Sequence, residues 1–542
     1  MLAAEAIVEK LLRQRGVEDF EKFLNPVIAD LARPEELPGI AEAAEILLRG
    51  LDLRLPMVVF GDYDCDGICA TAIMTSALKT LGARVESFIP RRREEGYGMS
   101  PASIERLLRE HPKVKLVITV DNGINSIEQV MALKAHGIET IITDHHLPSV
   151  NVYGQTLLPS ALAVVNPKVK SPSHLSELCG AAVAFFLANR LVSRARETGR
   201  YTGGSVGGPL LILAGLATVT DVMPLVGQNR ILVAEALKRF QKCAPMGLIE
   251  LYSRASRTGV TTMTSRDFGF LLGPRINASG RVATGDEALE LLLVDDREIA
   301  REAARIVDQR NVDRKGIETR MFEEAAGALV AGASAQVVDI PGGHEGVAGI
   351  VAARLMDRVQ VPVGVIAGNH GSARAPAGYN LRDALSSCSK FLSRFGGHAA
   401  AAGFSVKPGM TDEFRGAFAA ACAEQARNFE AAAPKMNFDL ELEAGDITLA
   451  LADAIKRLEP FGEANPEPVF LMHDAVFTDV RTLGQEGRHL QLIVSGLRTV
   501  WWNHGDQVEA LRARPNGRDI TFTIEASDFG ERHVELRLVT VS

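Results

Sequence analysis

The stretch PMVVFGDYDCDGICATAIMTSALKTLG (56–82) decides the fold. PMVVF (56–60) reads as a buried strand and residues 68–82 read as a helix, with Asp62, Asp64 and Asp66 packed into the turn between them. The pattern repeats downstream. VKLVITV (114–120) runs into Asp121, and IETIIT (138–143) runs into Asp144, His145 and His146; ALAVV (161–165) is a fourth apolar run. Amphipathic segments 101–111 and 125–136 separate these strands, and such alternation predicts a mostly parallel sheet covered on both faces. In an open parallel sheet the carboxyl ends of the strands share one edge, where ligands bind. Three segments therefore bring carboxylates and imidazoles to one place. So much negative charge converges only if cations offset it. Several Asp with one or two His, and no Cys required, suits Mn²⁺ or Mg²⁺ better than structural zinc.

A single Asp after a strand is usually a turn or helix-capping residue, and Asp121 alone would pass for one. Asp-x-Asp-x-Asp-Gly, Asp-Asn-Gly and Asp-His-His after successive strands are hard to obtain as independent caps. Asp221, which closes the apolar segment in LATVTDVMPL, is a further candidate ligand. Cys65 and Cys69 lack a second Cys pair at zinc spacing and read as packing residues.

The 542 residues exceed one hydrophobic core, so three or four domains are expected. Residues 1–50 read as a helical arm interrupted by Pro26, Pro34 and Pro38, and 51–225 as the first α/β domain. A charged helical connector follows at 226–330. A second α/β unit spans 331–432, with strands near 335–339 and 363–367. The short alternating runs of 436–542 predict a small β-barrel. The net charge of −8 does not advertise nucleic-acid binding, although a local basic groove can bind phosphate on an acidic molecule. Six scattered cysteines predict no disulfide framework and fit a reducing cytoplasm. The opening MLAAEAIVEKLLRQRG has no apolar core of signal-peptide length, and no run suits a membrane span. No Gly-x-Gly-x-x-Gly follows the first strand and there is no Walker loop, which removes dinucleotide oxidoreductases and P-loop enzymes.

GDYDCDG, VDNG, DHH and TVTDVMPL resemble the four motifs of the DHH phosphoesterase superfamily. The arm LLRQRGVEDFEKFLNP, IPRRREEGYG (89–98), GPRINASGR (273–281), HEGVAGIVAARL (344–355), GSARA (371–375), FGGHAAAAGF (395–404) and PFGEANPEPVF (460–470) extend a likeness to the RecJ family over nearly the whole chain. This resemblance implies a DHH catalytic domain, a DHH-associated substrate-binding domain and a terminal OB-fold. The implied reaction is 5′→3′ hydrolysis of single-stranded DNA to 5′-mononucleotides in recombination and repair.

By motif, the resemblance implies Asp64, Asp66, Asp121, His145 and Asp221 as ligands of two cations, with Asp66 bridging. Asp62 would bind metal or orient a water, His146 would contact the scissile phosphate or move a proton, and Asp144 would hold an imidazole in orientation. Arg92, within the triplet Arg91–Arg93, joins Ser372 and Arg374 as the implied 5′-phosphate pocket, because guanidinium and hydroxyl donors suit phosphate. Tyr97 is a stacking candidate. Arg275, Asn277 and Arg281 are implied backbone-phosphate contacts, and His398 a substrate-binding histidine. Trp501 and Trp502 fit barrel core or stacking platform equally. Single-strand-binding protein and a helicase are implied partners of a monomer. A DHH phosphodiesterase acting on nanoRNA or cyclic dinucleotides is disfavoured by the arm, connector and barrel. A non-catalytic DNA-binding relative is disfavoured by the intact acids.

Overall fold

The computed structural model describes residues 4–96, 98–204, 206–256, 263–427, 436–527 and 531–542. The four expected strands lie in one sheet with a fifth: β1 (Met57–Phe60), β2 (Val85–Phe88), β3 (Leu116–Val120), β4 (Glu139–Thr143) and β5 (Ala163–Val165), in the order β2-β1-β3-β4-β5. Every pair is parallel. β1 and β3 are buried at every position, which is why they read as unbroken apolar runs. β2 was not expected from sequence: VESF is short, lies at the sheet edge and exposes Glu86.

The chain leaves β1 for β2 on one side and returns to add β3 on the other, so the topology reverses between β1 and β3. Crevices form at such points beyond the strand ends. Phe60 pairs with Thr119, and Val120 with Thr143, so the three strands end nearly level. Asp62, Asp121 and Asp144 therefore leave the sheet together. The helix after β1 starts at Cys65, earlier than its apolar periodicity predicts, because Asp64 caps it by accepting the N–H groups of Asp66 and Gly67 at 3.0 and 3.1 Å.

The second sheet has the order β6-β7-β8-β10-β9. β6 (Gln336–Ile340) and β7 (Val363–Ala367) are the parallel strands the sequence predicts. β8 (His370–Arg374), β9 (Leu392–Gly397) and β10 (Ala401–Val406) are additional and antiparallel. Their Gly- and Ala-rich sequences carry no strong apolar alternation. The fold uses that smallness: a Cβ on Gly371 would lie 2.3 Å from the Phe404 ring, so the ring takes the vacant space.

The terminal unit is a seven-stranded sheet containing one parallel pair, Leu497–Trp501 with His533–Val541, in its interior and a second at its edge. Its core includes Phe470, Phe522, Leu536 and, from the opposite end of the sequence, Ile7, Val8, Leu11 and Leu12 of helix Ala4–Gln14. The arm is thus docked onto the terminal unit. Buried Arg230 ties the two together, donating to the carbonyls of Phe23, Leu458 and Glu459 at 2.8, 3.0 and 2.8 Å. Trp501 belongs to this core and Trp502 is exposed. Among the described residues, no helix is long and apolar enough to cross a membrane.

Candidate metal centre and arginine cluster

At the β1/β3 crevice the side chains form three groups whose ligating atoms lie within 4.8 Å of one another: Asp62, Asp64 and Asp121; Asp121, His145 and His146; Asp66, His145 and Asp221. His145 Nε2 is 3.2 Å from Asp121 Oδ1, 3.6 Å from Asp66 Oδ2 and 3.7 Å from Asp221 Oδ2. Asp121 and His145 each belong to two groups. Asp66, expected to bridge, belongs to one, and its oxygens accept the amides of Gly180 and Ala181 at 2.7 and 2.8 Å. Those amides open the helix Gly180–Glu197, whose N-terminus favours an anion. The closeness of this helix requires glycine: a Cβ at position 180 would lie 2.5 Å from Asp121. Gly180→Ala is therefore expected to weaken Mn²⁺ binding by roughly tenfold, in the range of lost supporting contacts, as titration calorimetry would measure.

Burial, followed by repulsion from Asp64, pushes the Asp62 carboxyl well above its ordinary range. Its two oxygens are buried without a well-formed hydrogen bond among the described residues, with the Tyr63 amide near them. Burial and then the neighbouring carboxylates raise Asp121 strongly, and burial with Asp66 and Asp64 raises Asp221 to about 8. Burial lowers His145, against the pull of Asp66, and so favours the neutral, metal-ligating imidazole. Oxygen-rich donors that repel one another, one neutral imidazole and orphaned buried oxygens fit divalent Mn²⁺ or Mg²⁺.

Asp144 performs a different task. It accepts the His145 and His146 amides at 2.7 and 3.1 Å and the Ile124 amide at 2.9 Å, and pairs with His146 Nδ1 at 2.7 Å. Burial would lower His146, but the bond to Asp144 and the surrounding acids outweigh it and carry the imidazole to about 9. The imidazole that Asp144 orients is thus His146.

A metal-free protein should lose stability as pH rises. Asp221 has an ordinary pKa of 3.8 and a folded value of about 8, so the folded state holds its proton across the interval in which the unfolded state has released it. Its stabilising protonation is complete below the unfolded value and is lost towards the folded one. Melting curves in EDTA are expected to fall through this interval. The rise on adding Mn²⁺ should grow with pH. A pH-independent Mn²⁺ shift would count against the site.

Beyond this centre, helix Gly273–Val282 wedges between the two α/β units. Asn277 Oδ1 accepts the Cys65 amide at 2.8 Å, and a Cβ on Gly280 would lie 2.0 Å from the Tyr63 carbonyl oxygen. Arg281 donates to the Gly346 carbonyl at 3.2 Å, reaching the second unit. Burial first, then Arg92, push Arg281 down to about 10, with Asp64, Arg314 and Arg374 also in electrostatic range. Burial and Arg92 likewise lower Arg374. Arg92 lies with its guanidinium 5.0 Å from the Tyr63 ring centre, whereas Arg91 pairs with Glu94 at 3.1 Å. A Cβ on Gly349 would lie 2.9 Å from Arg374 Nη2 and 3.5 Å from Ser372 Oγ, so this glycine makes room for both. Arg92, Arg281, Ser372 and Arg374 therefore gather at one edge of the metal centre, where Arg281 is in electrostatic range of Asp64 and Arg92 of Asp62.

Three of the expected DNA contacts have contacts of their own within the fold. Arg275, expected at a DNA phosphate, is engaged within the fold by Asp308 at 2.8 Å and the Leu271 carbonyl at 2.8 Å. The Asn277 carbonyl positions the metal loop. His398 is exposed, its amide closing the β9–β10 turn on Ala401 at 2.8 Å, and none of the described contacts of either cluster involves it. Tyr97 lies outside the described residues. Sequence reasoning also missed Asn122, which donates to the carbonyls of Gly61 and Val120 at 3.0 and 2.9 Å and locks the two strand ends together. Its place in VDNG was a usable signal. The Gly180 and Ala181 amides and the presence of Arg314 in the cluster left none. Cys65 and Cys69 are buried in the main core, consistent with packing.

Fold and site together define a metal-dependent phosphoesterase of the DHH class: the DHH family N-terminal domain matches residues 56–203, and the DHHA1 domain matches 332–424. The RecJ OB domain matches 438–540. The single-stranded-DNA-specific exonuclease RecJ of Haemophilus influenzae is 34% identical over 512 residues, covering 90% of this chain and 86% of that protein. The chain belongs to the RecJ family. RecJ of Bacillus subtilis is 33% identical over 522 residues and 93% of this chain, which spans 64% of that longer relative. The crystal structure of RecJ in complex with Mn²⁺ from Thermus thermophilus superposes with a TM-score of 0.85 at 31% identity, covering 100% of this chain and 76% of that one.

Proposed function

We propose that the chain is a Mn²⁺- or Mg²⁺-dependent exonuclease that degrades single-stranded DNA 5′→3′ to 5′-mononucleotides. The observation that carries this reading is the adjacency of two clusters: carboxylates and imidazoles fit for cations, and, bordering Asp64, arginines with Ser372 fit for a phosphate. Asp64, Asp66, Asp121, His145 and Asp221 hold the cations, and Asp62 faces them. A pair of divalent ions would activate a water and offset charge on both oxygens of an in-line displacement. Arg92, Arg281, Ser372 and Arg374 take the terminal 5′-phosphate, which fixes the next phosphodiester at the acids. His146, protonated and held by Asp144, binds the scissile phosphate or supplies the proton for the departing 3′ oxygen.

Breaking the P–O3′ bond leaves a 5′-phosphate on the shortened strand, the same group the arginines bind. Each turnover thus regenerates the recognised end. The terminal OB unit suits single strands. Such an enzyme needs exposed strands, so a helicase and single-strand-binding protein are its expected partners in cytoplasmic recombination and repair, and the chain acts as a monomer. The decisive assay uses 5′- and 3′-labelled single strands with Mn²⁺, Mg²⁺ or EDTA. Mononucleotides should appear first from the 5′ label and only with metal. Cleavage from the 3′ end, or activity in EDTA, would overturn the reading, and faster turnover of dinucleotides than of long strands would favour the nanoRNA alternative.

A further inference from the structure

Beside the metal centre the protein holds apolar groups that phosphate chemistry does not use. A cavity of about 900 Å³ lies between the end of helix Gly207–Thr220, the segment Asp267–Leu272 and the terminal barrel. Its volume is in the range of ligand sites. Thr220 and Val222, the chain neighbours of Asp221, stand in its wall, so it lies against the segment that carries that acid. Phe270 and Val222 line it and are 73% and 64% exposed.

These two residues are not packing the core. Phe268 and Leu272 are the buried members of their segment, and Phe268 meets the Phe240 ring at 5.9 Å between centroids. Phe270 is left on the cavity side. The segment is a π-helical turn, a wider geometry that recurs at functional sites. Val222 has φ +55°, a strained conformation for a β-branched residue and one that persists where a position matters. Both walls are fixed to the barrel entry: the Leu225 amide donates to the Glu463 carbonyl at 2.8 Å, and Ser265 Oγ donates to the Phe461 carbonyl at 2.6 Å.

The barrel side of the cavity carries Glu459, Glu463 and Glu467 beside Lys456, and its Arg537 is paired with Glu525. On the Phe270 side, Arg266 places its guanidinium 5.9 Å from the ring centre. We infer that Phe270, with Val222, forms a rail on which bases stack as the strand passes between barrel and metal centre, its backbone turned towards Arg266. This inference rests on the single-strand reading above and names residues that set how the strand is held downstream of the cut.

The test compares a 5′-phosphorylated oligothymidylate with the same strand made abasic beyond the scissile phosphate. Phe270→Ala is expected to raise KM on the intact strand by roughly tenfold, the loss of one stacked base, with kcat moving far less. Phe270→Trp should restore KM. On the abasic strand, Phe270→Ala and the unaltered protein should converge, since no base remains to stack. Fluorescence anisotropy with the same strands in EDTA gives the comparison without turnover, and an unchanged melting curve shows that the exposed ring is not needed for folding. Equal affinity of both proteins for the intact strand, or a gap that persists on the abasic strand, would overturn the rail. An inactive unaltered protein that still shows the base-dependent gap in binding would instead overturn the exonuclease reading alone.

Discussion

Asp121→Asn is expected to lower kcat on single-stranded DNA by at least about 10³-fold, corresponding to the several kcal/mol that paired cations contribute to such a displacement. Asp121 reaches both donor groups flanking it, so one substitution weakens both halves of the centre. The fold should survive. Asp121 has φ +61°, a left-handed conformation that asparagine adopts readily. Burial already disfavours its charge, so in EDTA the variant should melt at or above the temperature of the unaltered protein. The stabilisation on adding Mn²⁺ should shrink. Strand binding, carried by the arginines and the barrel, should largely remain. Substantial turnover by Asp121→Asn would remove it from the ligand set.

Arg374→Ala is expected to reduce kcat/KM on 5′-phosphorylated strands by about 10²-fold, near the upper range for a charge-assisted hydrogen-bonding group. The loss should be much smaller on strands with a 5′-hydroxyl, which present no terminal phosphate to pair. Arg374 sits against Gly349 with Ser372 and is desolvated, where a guanidinium–phosphate pair is little screened. A lysine should recover only part of the loss, because it keeps the charge but not the planar fork. An equal deficit on both ends would make Arg374 a structural residue and remove it from end recognition.

These two residues illustrate unequal legibility. Asp121 could be read from VITVDNG, because a strand that is buried on both faces must be apolar throughout and an acid at its end stands out. Motif likeness assigns the bridge to Asp66; what it could not show is that the amides of Gly180 and Ala181 hold that carboxylate, since backbone donors leave no mark on sequence. Arg275, Asn277 and Arg281 share one helix and one motif, and all three read as phosphate contacts. The helix separates them: Arg275 meets Asp308, Asn277 meets the metal loop, and Arg281 faces the other arginines.

The strands β2, β8, β9 and β10 escaped for a related reason. Each is short, or built of small residues whose partners lie far away in sequence, so local apolar periodicity carries no signal. The docking of Ile7, Val8, Leu11 and Leu12 into the barrel core is likewise invisible locally. An amphipathic helix announces that it will be covered and says nothing about what covers it.

GDYDCDG, VDNG and DHH by themselves determined the parallel sheet, the edge at which its acids meet and the need for cations, because strand burial and charge repulsion act on neighbouring residues. Tertiary structure alone decided which acid stands in two donor groups, which imidazole Asp144 holds, and which arginines gather around Arg281. Those outcomes depend on desolvation and on distances between segments hundreds of residues apart, as between Asp64 and Arg281.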